Sequence, residues 1–335
     1  MTDTLPPLPR FAQIEPIGRC NLACRMCTVH ERGDAVAELS LERYVQLLDA
    51  LPGLERLHLQ GLGEPMLHPR FFEMVEIAAA RGIRVSANSN LTLLTERRAA
   101  RCVTSGLATL SVSLDGASAA VYESIRHRAS FAKVLRNLRR LVAARDAAPE
   151  RRPALEVRLV MVLMRANLHE LPALVELAHE LGVGELLVQR LSSDLGDAGT
   201  AARYTPIRDY VRHAELVDAE AARGVFERAR ERAEALAVRL HLPRLDQRPS
   251  SRAGSRGGEA GCSWPWEQLY VTAAGELLPC CMVASADRAS FGNVFDAGGL
   301  AGRWHGAPAR SFRERLASDV PPAPCRSCAL YHGRF

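Results

Sequence analysis

Three cysteines, Cys20, Cys24 and Cys27, fall within the run RCNLACRMCTVHERG at residues 19–33, spaced C-x3-C-x2-C. Thiolates bind soft metals, and a structural tetrahedral site takes four protein ligands. His30 is the nearby residue that would complete a zinc site. Zinc folds generally use two C-x2-C-like pairs, however, and no second pair is close. The competing reading is a cubane iron–sulfur cluster held by only three cysteines. That leaves one iron open, and an open metal position is where something else binds. A second set lies far downstream: Cys262, Cys280, then Cys325 and Cys328 in PCRSC. Taken alone, these two separated pairs fit a zinc ribbon or a cluster equally well. Cys102, in the helical pattern RAARCVTSGL, reads as a small buried hydrophobe.

The elements that must hold these groups alternate along the first two-thirds of the 335 residues. Strand-like runs at 11–17, 54–60, 83–88, 108–115, 154–164 and 185–191 are separated by helical periodicity. Ser40 is placed to cap LERYVQLLDAL, and Gly82 to close FFEMVEIAAARG. Such alternation means parallel strands joined by right-handed crossovers, as a doubly wound sheet or a full or partial (β/α) barrel. In either fold the cysteine triplet sits on the loop at the C-terminal end of the first strand, the edge that carries ligands. One long amphipathic helix is expected over about 206–238, then a strand in AVRLHL. Residues 246–261, DQRPSSRAGSRGGEAG, read as a linker between a domain at 1–245 and a small module at 262–335. In that module LYVTAAGELLPC should form a hairpin turning at Ala274–Gly275, bringing Cys280 beside Cys262.

Composition narrows the chemistry. No apolar run reaches the roughly 18 residues of a membrane helix, and the start MTDTLPPLPRF lacks a signal-peptide pattern, so the cytoplasm is expected. There, nine cysteines read as metal or redox ligands rather than disulfides. Net charge is +5, with arginines scattered over helical faces and no compact basic run, so nucleic acid is not the expected partner. The single lysine, Lys133, lies in SFAKVLRNLRRL behind Ser130 as N-cap, an ordinary helix position, which argues against Schiff-base chemistry.

CNLACRMC resembles the signature loop of the radical S-adenosylmethionine (radical SAM) superfamily. The resemblance implies a [4Fe–4S] cluster on Cys20, Cys24 and Cys27 whose open iron is chelated by the amino and carboxylate groups of SAM. Reductive cleavage would then yield a 5′-deoxyadenosyl radical that takes a hydrogen atom from substrate. Met26 stands where the family often has an aromatic residue against the adenine. GLGEP at 61–65 is similar to the family's Gly-Gly-Glu-Pro motif that meets the SAM amino group, implicating Gly61, Gly63, Glu64 and Pro65, with Leu62 in place of the second glycine. SANSN ends in Asn90. In SVSLDG, Ser113 and Asp115 resemble polar residues near the SAM ribose and methionine, and Arg126 fits an arginine near its carboxylate. The family fold is a partial (β/α)6 barrel. The spacing C-x12-G-x4-C followed by C-x2-C resembles the twitch module, a half-size SPASM domain, implying one auxiliary [4Fe–4S] cluster on Cys262, Cys280, Cys325 and Cys328.

Family resemblance implies a reducing partner such as flavodoxin or ferredoxin, but not the second half of the reaction. Peptide-modifying relatives often carry an added recognition domain, and only 19 residues precede Cys20. The expectation is therefore oxidation of a small sugar, polyol or other natural product. The alternatives are epimerisation, with Cys281 as catalytic hydrogen-atom donor, and maturation of a peptide. Cys281 otherwise reads as inert or as an alternate cluster ligand. A plain electron carrier or zinc module would need neither an open iron nor four cofactor-edge stretches. Strand position nominates Glu15, His58, Gln60, Gln189 and Arg190 as substrate-facing.

Overall fold

A computed structural model describes residues 5–332 except 34–35, 151–153, 197–199, 216–218, 246–261 and 284. The expected linker at 246–261 therefore lies outside the described residues. Seven parallel strands stand side by side in chain order: β1 (Phe11–Ile14), β2 (Arg56–Leu59), β3 (Arg84–Ser89), β4 (Leu107–Ser113), β5 (Glu156–Leu163), β6 (Glu185–Arg190) and β7 (Arg239–His241). Helices α1 (Leu41–Asp49), α2 (Phe71–Ala80), α3 (Glu96–Thr104), α4 (Ala119–Ile125), α5 (Phe131–Asp146), α6 (Leu171–Glu180), α7 (Thr205–Ala214) and α8 (Ala219–Ala235) return the chain between them. This is a partial (β/α)6 barrel with one short additional strand. Among the described residues no helix is long and apolar enough to cross a membrane.

Period-2 alternation sorts the strand side chains. Leu57, Val85, Leu110, Leu159 and Leu186 face the helices, fully buried against Tyr44, Met74, Leu138, Leu174 and Phe226. Burying each such side chain contributes roughly 1.5–3 kcal/mol. The alternate positions, among them His58, Ser86, Ser111 and Arg158, turn a polar face into the barrel, where His58 Nδ1 meets Ser86 Oγ at 2.8 Å and Arg158 Nε donates to Ser111 Oγ at 2.7 Å. The helices start where short polar residues can cap. Ser40, Thr95, Ser118 and Ser130 each accept a backbone N–H three residues on. Gly82 follows α2 at φ +77°, a conformation that favours glycine.

The single long helix expected over 206–238 is two helices. Glu215, with φ −59° and ψ 137°, is extended and ends α7 at Ala214. Amphipathic periodicity runs through both pieces, so spacing alone could not show the break.

The C-terminal region forms the expected hairpin of β8 (Gln268–Val271) and β9 (Leu277–Leu278), with Gly275 at φ +93° in its turn. Its placement was not legible. β8 pairs parallel with β1, Phe11 opposite Gln268 and Ile14 opposite Val271, so the module continues the barrel sheet. Helices α9 (Trp264–Glu267), α10 (Gly299–Trp304) and α11 (Ala307–Leu316) pack around it. The Phe11 and Trp264 rings meet edge to face at 6.1 Å, and Trp304 Nε1 donates to the Pro7 carbonyl at 3.2 Å.

Candidate active site

The cysteine loop leaves β1 and is braced from the far side of the barrel. Ala23–Cys24 pairs antiparallel with Arg126–His127, the segment after α4, and Arg25 N–H donates to the Ile125 carbonyl at 3.1 Å. Within the loop, Cys27 N–H donates to the Cys24 carbonyl at 3.0 Å. Donors approach the sulfurs: Leu22 N–H at 3.4 Å and Asn90 Nδ2 at 3.8 Å from Cys20 Sγ, and Arg126 Nη1 at 3.9 Å from Cys24 Sγ. Burial nevertheless dominates, pushing Cys20 up to about 11 and Cys27 up to about 12, and raising Cys24. Burial thus favours the neutral thiols, and a metal that binds them displaces the proton.

Among the described residues no three His, Cys, Asp or Glu side chains converge as one ion requires. His30 is not aimed at the thiols, because its Nε2 donates to the Leu22 carbonyl at 2.7 Å. The three cysteines instead line one cavity of about 290 Å³ at the C-terminal ends of the strands, where each could hold a separate corner of a cubane.

The GLGEP turn owes its glycines to close approach. A Cβ on Gly61 would stand 2.2 Å from Glu15 Oε1, and one on Gly63 would stand 2.0 Å from the Ile17 carbonyl oxygen. Glu15 is the fastener of this corner. It forms a two-pronged pair with buried Arg32 at 2.6 and 2.9 Å and accepts from Leu62 N–H at 2.9 Å and Ala273 N–H at 3.2 Å. The extra donors satisfy the carboxylate, offsetting part of the cost of burying two charges. Glu15 is fully buried and does not line the cavity, which corrects its nomination as a substrate-facing residue. His58 likewise stays below the cavity, whereas Gln60, Gln189 and Arg190 reach it.

Glu64 turns the other way, accepting from Met66 N–H, Ser89 Oγ and Asn90 N–H at 3.1, 2.8 and 2.8 Å. It thereby ties GLGEP to the end of β3. Leu91, next to Asn90, holds φ +58°, and the Asn137 amide clamps its carbonyl at 2.8 Å. Across the cavity, Arg126 pairs with fully buried Asp115 at 2.7 Å. Burial disfavours the Arg126 charge, but Asp115 and Cys24 beside it outweigh that and hold its pKa above the ordinary value.

Of the residues the sequence nominated, Met26, Gly61, Gly63, Glu64, Asn90, Ser113 and Arg126 line the cavity. Pro65, which opens a short 3-10 turn, and Asp115 stand behind it. Residues that sequence reasoning missed, including Leu22, Asn88, Val162, Ser192 and Met282, also line it. Leu22 lies within CNLACRMC and Asn88 within SANSN, whereas Val162, Ser192 and Met282 sit singly with no local signature.

The downstream cysteines gather in the module. Cys262, Cys280 and Cys281 pack against Trp264, Tyr270, Leu278 and Val283, and Cys328 N–H donates to the Cys325 carbonyl at 3.2 Å. Cys262, Cys281 and Cys328 all act electrostatically on Cys280, and Cys262 and Cys328 act on Cys325. Desolvation raises every one of these thiols, Cys262 to about 11 and Cys281 and Cys325 to about 12. Cys281 therefore looks toward the other module cysteines. The residue of that turn that lines the cavity is its neighbour Met282, not Cys281.

Residues 14–178 match the radical SAM superfamily, and residues 262–329 match the SPASM iron–sulfur cluster-binding domain. The chain belongs to the radical SAM superfamily and carries a C-terminal SPASM module; its cofactors are SAM, the [4Fe–4S] cluster that binds it, and auxiliary iron–sulfur centres. It is 28% identical to mycofactocin maturase MftC of Mycobacterium ulcerans (strain Agy99), over 93% of this chain and 78% of the relative. It is 27% identical to the PqqA peptide cyclase of Rhodopseudomonas palustris (strain ATCC BAA-98 / CGA009), over 96% of this chain and 80% of the relative. The crystal structure of Streptococcus suis SuiB bound to precursor peptide SuiA superimposes with a TM-score of 0.70 at 16% identity, covering 97% of this chain and 71% of that one, a likeness of fold. These relatives overturn the expectation of a small sugar or polyol substrate undergoing dehydrogenation, and of a small molecule as the principal partner: the two that span nearly the whole chain are named a maturase and a peptide cyclase.

Proposed function

We propose that the protein is a peptide maturase that takes a hydrogen atom from a residue of a ribosomally made precursor peptide. The observation that carries this reading is the similarity, over nearly the whole chain, to a mycofactocin maturase and a PqqA peptide cyclase. In this reading Cys20, Cys24 and Cys27 hold the SAM-binding cluster. That cluster, when bound, supplies the electron that cleaves SAM. The rest is positioning. Leu22, Asn90 and Arg126 donate toward the ligand sulfurs. Met26, Gly61, Gly63 and Glu64 shape the SAM side of the cavity, while Gln60, Gln189, Arg190 and Met282 face the peptide. Cys262, Cys280, Cys325 and Cys328 hold one auxiliary [4Fe–4S] cluster. The reducing setting the thiols need is the cytoplasm, with a flavodoxin or ferredoxin as electron donor.

The test uses anaerobically reconstituted protein, SAM and dithionite with synthetic peptides from short reading frames beside the gene. Mass spectrometry should show a peptide altered in step with 5′-deoxyadenosine. If every peptide stays unchanged while a polyol or sugar is turned over, the reading is wrong.

A further inference from the structure

His58 lies in β2 and Gln60 one position past its end, so strand alternation puts both side chains on the barrel's inner face. Three hydrogen bonds link them to their surroundings. Gln60 Nε2 donates to the Gly61 carbonyl at 2.8 Å, Gln60 Oε1 meets His58 Nε2 at 2.5 Å, and His58 Nδ1 meets Ser86 Oγ at 2.8 Å. Gln60 and Gly61 line the cavity shared with Cys20, Cys24 and Cys27, whereas His58 and Ser86 do not.

The Gly61 carbonyl sets the direction of every bond in this chain. A carbonyl oxygen carries no proton, so the Gln60 atom beside it must be the amide nitrogen. The amide oxygen then faces His58, and His58 Nε2 must supply the proton between them. Burial holds the His58 pKa down at about 4, opposed by the Gln60 hydrogen bond and assisted by the Arg158 guanidinium, so the ring is neutral at pH 7. A neutral imidazole has one N–H, which leaves Nδ1 to accept the Ser86 hydroxyl proton. The Leu57 carbonyl, at 3.4 Å, is a more distant acceptor for that proton.

A carboxamide nitrogen has two protons, and the Gly61 carbonyl takes one. The nitrogen end of Gln60 lies beside Gly61 on the cavity wall, while its oxygen end rests on His58 beneath. The second N–H is therefore what Gln60 offers to the cavity. A reversed amide would set carbonyl against carbonyl at Gly61 and offer an acceptor instead.

We propose that Gln60 is a hydrogen-bond donor to an oxygen acceptor of the substrate, and that His58 is the positioning residue that fixes its amide in the donating orientation. Naming that acceptor a peptide backbone carbonyl rests on the peptide-maturase reading; the orientation does not.

Long-range proton–nitrogen NMR correlation on the histidine-labelled full chain reads the tautomer, with His58 assigned by the signal lost in His58→Gln. An Nε2–H imidazole at pH 7 is expected. An Nδ1–H imidazole, or exchange between the two forms, overturns the inference whatever the substrate. Steady-state kinetics at saturating SAM then use the synthetic precursor peptide that the reconstituted enzyme alters. Gln60→Met and His58→Met should each raise KM about tenfold, with kcat within about twofold. The double variant should be no worse than Gln60→Met alone, because His58 acts through Gln60. His58→Gln, which keeps an N–H where Nε2 stands, should restore the parent KM. An unchanged KM in Gln60→Met, additive effects in the double variant, or an equal loss of SAM affinity by calorimetry overturns the inference. If a polyol is turned over instead, the peptide acceptor is wrong, and the same comparison made with that polyol decides the donor role.

Discussion

A Cβ built on Gly63 would meet the Ile17 and Arg19 carbonyl oxygens at 2.0 and 2.8 Å. Both belong to the backbone entering the cysteine loop, so no side-chain rotation relieves the clash. Overpacking of this kind costs about 1–3 kcal/mol. Gly63→Ala should therefore lower the thermal midpoint and weaken SAM binding to reconstituted protein at least tenfold by calorimetry. Gly184→Ala, with nothing within 4 Å of its Cβ, should do neither. His58 gives a pH prediction. Burial holds its pKa down at about 4, opposed by the Gln60 hydrogen bond and assisted by Arg158. The folded chain thus keeps this imidazole neutral where the unfolded chain protonates it. Its contribution is fully present above the unfolded value near 6.5 and is lost as pH falls toward 4. Urea unfolding at pH 7 and pH 5 should show wild type losing more stability than His58→Gln; equal losses would contradict this assignment.

At the scale of elements, helix starts and strand partners carry different energies. Thr95 Oγ1 accepts the Arg98 N–H at 3.2 Å at the exposed start of α3. Thr95→Ala should cost about 1 kcal/mol in urea unfolding with an unchanged m-value. The cap is local: a polar residue directly before an amphipathic run. The β1–β8 pairing is not local, since Phe11 and Gln268 meet across most of the chain. Amides of Leu269–Val271 should accordingly exchange with deuterium as slowly as those of β2 and β3; fast exchange there would mean that the module moves independently of the barrel.

For the molecule as a whole, the two cysteine sets predict about eight irons per chain after anaerobic reconstitution, and about four when Cys20, Cys24 and Cys27 are alanine. The triple variant should also lose SAM cleavage under dithionite, and undiminished cleavage would refute the assignment. The module is small, with short elements, so metal binding contributes directly to its folding. Chelating the irons should raise hydrogen exchange across 277–332 while β2–β6, held by the apolar barrel core, stay protected.

Local physics made much of this protein legible in one dimension. Period-2 and helical spacing located the strands, Ser40 and Gly82 marked helix ends, and the hairpin turn was visible at Gly275. The cysteine spacing and GLGEP were visible because each is a contiguous loop, and the two loops line one cavity. Tertiary structure alone decided the rest. It turned His30 onto Leu22, assigned Glu15 to fasten three segments, faced Met282 rather than Cys281 to the cavity, and brought Ser192 against Ala329. The other side of the cavity is assembled from single residues supplied by separate segments. Such residues share no spacing, and only the closing of the barrel brings them together.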